Sequence, residues 1–351
     1  MSQRKLNDRQ SRRAQQRQQK SADNLANKER DLSRQIQSGE LSSEQAGLII
    51  CRYSKHFEVE ALEGADQGKS HKCVTRTNLG TLVAGDKVIW RSGANQTGVI
   101  ESKQQRSSLL QRPDNFGKLK AVAANIDQML IVIASEPAPQ PNLIDRYLVA
   151  AELIGVRPII ALNKTDLITN QNRESLEKLL GLYESLGYIT LKIVSSRHQP
   201  AQLSNLLNYI DQRTSIIVGQ SGVGKSSLIN KLLPDAKLEV GDLSEQTREG
   251  THTTTKAKLF HLAKGGQLID SPGIRDFGLW HISTQELEQG FIDIAQHAGQ
   301  CRFRDCQHNN EPSCAILQAV EQGDINQDRF QSFSKIKASI LEQQARGLKL
   351  D

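Results

Sequence analysis

GQSGVGKS, residues 219–226, is the stretch of the sequence that decides the fold. It fits the pattern G-x-x-x-x-G-K-[ST], follows a predicted strand at 214–218 and opens a predicted helix at 225–233. Its glycines let the backbone curl so that successive N–H groups point at one phosphate, and the dipole of the following helix adds positive potential. A chance match in a glycine-rich loop would lack both flanking elements. The segment therefore predicts a phosphate-binding loop.

Individual residues of this loop have expected roles. Lys225 supplies a positive charge to the β- and γ-phosphates and is therefore also a candidate catalytic residue, and the Ser226 hydroxyl is an expected ligand of Mg²⁺. The residues expected to contact the nucleotide here are Gly219, Gln220, Ser221, Gly222, Val223, Gly224, Lys225, Ser226 and Ser227.

Strand and helix signals alternate on both sides of the loop. The continuous apolar run QMLIVIA at 128–134 predicts a strand covered on both faces. The other expected strands are 157–162, 188–194 and 214–218, with a hairpin of 258–262 and 267–269. The expected helices are 144–153, 173–186, 200–212 and 225–233. Alternation of this kind predicts a mostly parallel sheet with helices on both faces.

A second motif, NKTD at 163–166, follows a buried strand and predicts a turn that reads the base. The Asp166 carboxylate can accept hydrogen bonds from the N1–H and the 2-amino group of guanine. Adenine has no such donor pair and would leave the carboxylate unpaired, so an ATPase is disfavoured. The Lys164 stem can lie along the base plane. The residues expected to form the base pocket are Asn163, Lys164, Thr165, Asp166, Ser195 and Ser196.

Two segments after the phosphate loop have the composition of nucleotide-dependent switches. Asp270, the first residue of the segment DSPG, can hold Mg²⁺ through water. The Gly273 N–H can donate a hydrogen bond to the γ-phosphate, which makes Gly273 a candidate catalytic residue. The run GTHTTT at 250–255 is expected to supply one threonine to Mg²⁺, and the candidates are Thr253, Thr254 and Thr255. A run of threonines can also be a β-edge, but its position between the loop and Asp270 favours a switch.

The motifs occur in an unusual order. The base-reading turn at 163 precedes the phosphate loop at 219, whereas ordinary small GTPases have the phosphate loop first. The strands can still form one sheet, because the natural ends of a domain lie close together and can be rejoined. The order predicts a circularly permuted domain in which the second switch leads directly into the C-terminal section.

Chain length, hydrophobicity and charge limit the classes of protein to which this chain can belong. The chain has 351 residues and no apolar run long enough to cross a bilayer, and its first residues do not form a secretory signal, so we expect a cytoplasmic monomer of several domains. Residues 1–20 carry seven Lys or Arg and one Asp, which accounts for the whole net charge of +6. Such a leader is expected to be disordered, and either keeps the protein in solution or contacts RNA.

Short strand signals separated by glycines fill the region before the α/β domain. The expected strands are 47–53, 57–62, 71–75, 86–90 and 98–102. Five short strands with basic residues between them suit a small barrel such as an OB-fold, although spacing alone does not separate this from another small β-domain. Pro113 is expected to end the pattern.

The cysteines indicate a metal site. Three of the five lie in the pattern Cys301-x4-Cys306-x-His308-x5-Cys314. Four N and S ligands match a closed tetrahedral Zn²⁺ site with a structural role, worth on the order of 10 kcal/mol to folding. The alternative is unligated core cysteines with a surface histidine, but the setting is too polar for a core.

These motifs together resemble the ribosome small-subunit-dependent GTPase A family of circularly permuted bacterial GTPases, over about residues 45–351. The resemblance implies a multi-domain protein with an N-terminal OB-fold β-barrel, a central circularly permuted α/β P-loop GTPase domain and a C-terminal, mostly helical zinc domain. The expected limits are a leader at 1–44, then 45–113, 114–282 and 283–351. The resemblance also implies that the protein binds the small ribosomal subunit and its rRNA. GTP hydrolysis would be stimulated by that subunit and coupled to its late maturation and to release of the protein.

One departure from Ras-like enzymes concerns the catalytic water. Ile274 follows Gly273 where those enzymes place a water-positioning glutamine, so slow intrinsic turnover is expected. The His252 imidazole is the candidate replacement, since it can hydrogen-bond water or accept its proton. A histidine in an exposed loop without such a role is the alternative. Ile274 also leaves open a nucleotide-responsive RNA-binding scaffold with incidental hydrolysis.

Overall fold

The computed structural model of the chain describes residues 41–75, 79–113, 118–195, 202–233, 257–271, 279 and 281–345. Residues 1–40 of the expected leader (1–44) lie outside these residues, whereas 41–44 are described and the Ser42 N–H donates to the Ser92 carbonyl at 2.8 Å. Ser196, His252, Thr253, Thr254, Thr255 and Gly273 also lie outside, and their roles stay predictions. None of the helices formed by the described residues combines the length and the apolar character that a membrane span requires.

The described residues form two compact units. The first comprises 41–49, 53–82 and 87–105, and the second comprises 50–52, 83–86 and the residues from 106 onward. The domain limits expected at 113 and 282 stay predictions.

The first unit is a closed five-stranded barrel. All five expected strands are confirmed, as β1 (Gln45–Arg52), β2 (Phe57–Ala61), β3 (Ser70–Thr75), β4 (Lys87–Ser92) and β5 (Thr97–Lys103). They pair in the order β1-β2-β3-β5-β4, and β1 also pairs with β4, which closes the barrel. Its core is Ile49, Val59, Ala61, Cys73, Leu82, Val88, Trp90 and Ile100. Gly47 is required in β1, since a Cβ there would lie 2.5 Å from Trp90 Cδ1.

A hairpin in the second unit corrects one expectation. We expected Pro113 to end the β pattern, but β6 (Leu109–Pro113) pairs antiparallel with β7 (Leu119–Ala124). Pro113 is tolerated because it is the last residue of β6, a strand that pairs along one side only, with β7, in the two-stranded sheet.

The main sheet of the second unit carries the predicted motifs. Its strands are β8 (Gln128–Ala134), β9 (Arg157–Asn163), β10 (Ile189–Lys192), β11 (Thr214–Val218), β12 (Lys258–His261) and β13 (Gln267–Asp270). The order is β10-β9-β8-β11-β13-β12, parallel except for β12, which forms the expected hairpin with β13. Every residue of β8 is buried, as expected for a strand covered on both faces.

The helices of the described residues lie between these strands in the sequence and after β13. The first group is α1 (Pro141–Ile154), α2 (Asn170–Ser185), α3 (Gln202–Ile210) and α4 (Lys225–Leu232). The C-terminal group is α5 (Thr284–Gly290), α6 (Ile292–Ala295), α7 (Ala315–Gln322) and α8 (Gln327–Ala345). Ser283 and Glu286 form a capping box that begins α5, and Gly323 ends α7 at a φ of 85°.

Candidate nucleotide site and metal centre

The predicted nucleotide motifs meet at one edge of the main sheet. The carboxyl ends of parallel strands lie together, and here the base-reading turn follows β9, the phosphate loop follows β11 and Asp270 ends β13. β8 separates β9 from β11, with Ala134 paired to Asn163. Ligands of open α/β sheets bind at this edge.

The side-chain amide of Asn163 connects the base-reading turn to the phosphate loop. Its Nδ2 donates to Ser195 Oγ and to the Val223 carbonyl oxygen, both at 2.9 Å. Its Oδ1 accepts from the Ser195 N–H at 3.0 Å. The residue is 0% exposed, so water cannot replace these bonds. Three segments that are far apart in the chain therefore meet at one amide.

Two glycines allow the phosphate loop to take this path. Gly219 has a φ of 142°, and a Cβ on it would lie 2.1 Å from the Val132 carbonyl oxygen. Gly224 has a φ of 91°, and its Cβ would lie 2.4 Å from Asn163 Nδ2. Real Cβ atoms do not come this close, and L residues rarely adopt either conformation. The loop therefore needs glycine at both positions.

Positive charge and a buried carboxyl group lie beside this loop. Lys225 begins α4, and its Nζ donates to the carbonyl oxygens of Gly219 and Gln220, both at 2.7 Å. A phosphate oxygen would offer this ammonium a stronger, charge-assisted partner. Burial raises the pKa of Asp270, and the charge of Lys225 acts in the opposite direction. Ser226 is half-buried in the first turn of α4.

Residues that sequence reasoning missed hold the base-reading turn. Lys164 has a left-handed φ of 56°. The Ser135 hydroxyl donates to the Lys164 carbonyl at 2.6 Å, and Lys164 Nζ donates to the Glu136 carbonyl at 2.8 Å. Asp166 is exposed, in a 3₁₀ turn over Thr165–Leu167, so its carboxylate is accessible to a ligand. In the sequence, the position of Ser135 directly after the strand β8 was the one feature that could have indicated this role.

The other predicted contact residues lie along the same edge. Thr165 Oγ1 donates to the Ile193 carbonyl at 3.2 Å, which ties the base-reading turn to the chain after β10. In the phosphate loop Ser221 and Gly222 are exposed, and Ser227 is half-buried in α4.

The four predicted metal ligands form one cluster, and three of their ligand atoms have the spacing of a tetrahedral site. One ligand atom each from Cys301, Cys306, His308 and Cys314 lies within 4.8 Å of the others. His308 Nδ1 lies 3.3 Å from Cys314 Sγ and 3.6 Å from Cys301 Sγ, and the two sulfurs are 3.8 Å apart. Zn–S and Zn–N bonds of ordinary length imply tetrahedral edges of about 3.6 Å for S···N and about 3.8 Å for S···S. The residues therefore fit one Zn²⁺.

A carboxylate outside the motif orients the histidine ligand. His308 Nε2 lies 3.1 Å from Glu288 Oε1, which leaves Nδ1 facing the sulfurs. The hydrogen bond to Glu288 raises the pKa of His308. Carboxylates commonly hold metal-binding histidines in this way. Glu288 lies in α5 and no spacing rule pointed to it.

The chain is similar over most of its length to proteins described as RsgA GTPases. The family model described as RsgA GTPase matches residues 103–280. A protein of Hahella chejuensis described as small ribosomal subunit biogenesis GTPase RsgA is 52% identical over 343 residues, with 98% of both chains covered. The protein of the same description from Marinobacter nauticus is 50% identical, with 100% of both chains covered.

Two solved structures share the fold. The crystal structure of YjeQ from Thermotoga maritima superimposes with a TM-score of 0.69 at 28% identity, covering 85% of this chain and 99% of that one. The structure of YloQ, described as a circularly permuted GTPase, gives 0.65 at 29% identity, covering 86% and 96%. Each similarity covers at least 85% of this chain, and the description of YloQ as circularly permuted agrees with the order of the motifs in this sequence.

Proposed function

Because the chain belongs to the RsgA family of GTPases, we propose that it hydrolyses GTP to GDP and phosphate in the biogenesis of the small ribosomal subunit. The protein acts in the cytoplasm as a monomer and binds the rRNA of the small subunit. It couples GTP hydrolysis to the late maturation of the subunit and to its own release from it. The subunit stimulates the hydrolysis.

The observation that carries this proposal is the amide bridge of Asn163. Asn163 belongs to the base-reading turn that also bears Asp166, and its amide joins this turn to Val223 of the phosphate loop and to Ser195, which was predicted to line the base pocket. One guanine nucleotide would lie along this edge, with its base at Asp166 and its phosphates at the loop N–H groups. Adenine would leave the Asp166 carboxylate without donors.

The chemistry needs charge at the phosphates and an oriented water. Mg²⁺, when bound, neutralises charge on the β- and γ-phosphates, and Ser226 and Asp270 would hold it. Lys225 contributes a further positive charge beside the transferred phosphoryl group. Gly273 would donate its N–H to the γ-phosphate, and His252 would orient the attacking water, with one of Thr253, Thr254 and Thr255 completing the metal site.

The zinc cluster has a structural role in this account. Four protein ligands leave no open position for chemistry, so Cys301, Cys306, His308 and Cys314 would hold a single Zn²⁺ that folds the loop between them. The loop carries Arg302 and Arg304, which can contact rRNA phosphates, as can the basic leader.

Turnover measured with and without purified small subunits tests the function. We expect stimulation by the subunits, and His252→Ala should lose about 100-fold or more of the stimulated rate while keeping its affinity for GTP, because it removes only the group that handles water. His261→Ala, an exposed histidine in β12, is the matched control and should behave as wild type. A rate unaffected by subunits would favour the scaffold with incidental hydrolysis, and normal rates in His252→Ala would remove that residue from the mechanism.

A further inference from the structure

A buried arginine joins the C-terminal helix α8 to three other parts of the second unit. Arg329 is 1% exposed. Its guanidinium donates to both carboxylate oxygens of Asp293, at 2.8 and 3.1 Å, and to Asp145 of α1 at 2.5 Å. Tyr183 of α2 donates to the same Asp145 oxygen at 2.9 Å. Buried ion pairs add little net stability but can fix one arrangement of the elements that carry them.

A second pair of contacts joins the same two helices one turn away. Asn142 Nδ2 of α1 lies 3.2 Å from both the carbonyl oxygen and the Oγ of Ser332 in α8. Asn142 precedes Asp145 by one turn, and Ser332 follows Arg329 by one turn. Successive turns of α1 and α8 are therefore hydrogen-bonded together, which restricts both sliding and rotation of α8.

The first turn of α1 is connected to the nucleotide edge. Residues 135–140 directly precede the helix, and their first two members hold the base-reading turn through the contacts of Ser135 and Glu136 with Lys164. Pro137 of the same segment lies 3.7 Å from the position of a Cβ on Gly222 in the phosphate loop. A change in the base-reading turn would therefore displace the start of α1.

The middle of α8 rests on the metal-bearing loop. Lys337 Nζ donates to the Gln307 carbonyl oxygen at 2.8 Å, between two of the metal ligands in sequence. The Phe333 ring lies 6.4 Å from the His308 ring, measured between centroids. Both contacts lie within three turns of Arg329 along the same helix.

We propose that α8 is a connector that transmits nucleotide occupancy from the base-reading turn, through residues 135–142, to the metal-bearing loop at 301–314. Arg329 is the positioning residue that holds α8 in register. This inference rests on the proposed nucleotide site. It differs from transmission through the second switch, because the base-reading turn contacts guanine in GDP as well as in GTP. GDP alone should therefore stabilise the metal-bearing loop.

Hydrogen exchange of the zinc-loaded full chain, measured with and without saturating GDP, tests the connector. GDP should slow exchange of amides in 301–314 by about 5-fold or more, the lower limit of ordinary coupling between sites. The double variant Asn142→Ala, Ser332→Ala should lose this slowing, while its GDP affinity by calorimetry stays within about 2-fold of wild type, because neither residue touches the nucleotide edge.

Ser334→Ala is the matched control. Its hydroxyl donates to the Phe330 carbonyl oxygen within α8, at 2.9 Å, so the loop should still respond to GDP. Normal GDP binding by wild type without any slowing in 301–314 would overturn the connector alone, and so would full slowing in the double variant. Absence of GDP binding in the calorimetry would overturn the proposed nucleotide site and the connector with it.

Discussion

Gly224→Ala is expected to weaken the binding of GDP and GTP by about 100-fold or more. The new Cβ would lie 2.4 Å from Asn163 Nδ2 on a backbone with a φ of 91°, so the loop must move. The strained backbone costs on the order of 1–3 kcal/mol. Leaving the buried Asn163 amide unpaired costs about the same again. Since each 1.4 kcal/mol is about tenfold in affinity, the two together give the expected loss.

Isothermal calorimetry with GDP measures this loss, and Gly181→Ala provides the matched control. Gly181 lies inside α2, where an added Cβ would meet nothing within 4 Å. That variant should bind GDP as wild type does and be more stable by roughly 0.5–1 kcal/mol, because alanine favours a helix over glycine. Binding by Gly224→Ala within threefold of wild type would show that the Asn163 bridge does not shape the site.

Cys314→Ser is expected to remove the metal and to unfold the loop that the metal holds. Cys314 is 2% exposed, and its sulfur both faces the other ligands and accepts the Leu317 N–H at the start of α7. Structural zinc contributes about 10–16 kcal/mol of binding free energy in small domains, so losing one thiolate should cost several kcal/mol. The zinc content should fall from one per chain to nearly none.

Zinc content by elemental mass spectrometry and limited proteolysis of 301–314 measure both effects. Cys51→Ser is the control, because Cys51 is a buried thiol of the barrel strand β1 that lies outside the four-ligand cluster. It should keep one zinc per chain and the wild-type cleavage pattern in this loop. A full complement of zinc in Cys314→Ser would exclude that cysteine as a ligand.

Local chemistry made the strands and motifs predictable. The bounds of β8 and β11 match the sequence prediction, because a continuous apolar run and a phosphate loop each mark where a buried strand ends. The barrel strands were equally visible, since glycines separate them. The four metal ligands are close in sequence, so their meeting in one cluster followed from spacing.

Contacts that depend on tertiary proximity were not predictable from the sequence. Ser135 and Glu136 become important only because β8 lies beside β9, and Glu288 only because α5 packs beside the metal loop. Arg329 reads as one polar position in an amphipathic helix, and nothing local distinguishes a buried arginine from an exposed one. The partners that give these residues a role come from distant parts of the chain.

Calorimetry of the full chain with GDP and with ADP tests most directly whether the Asp166 turn and the phosphate loop serve one guanine nucleotide. GDP should bind at least about 100-fold more tightly than ADP, because guanine can donate two hydrogen bonds to the Asp166 carboxylate and adenine cannot. Asp166→Ala should reduce GDP binding to the level of ADP and leave ADP binding unchanged. Equal affinity of the wild-type chain for both nucleotides would contradict the account.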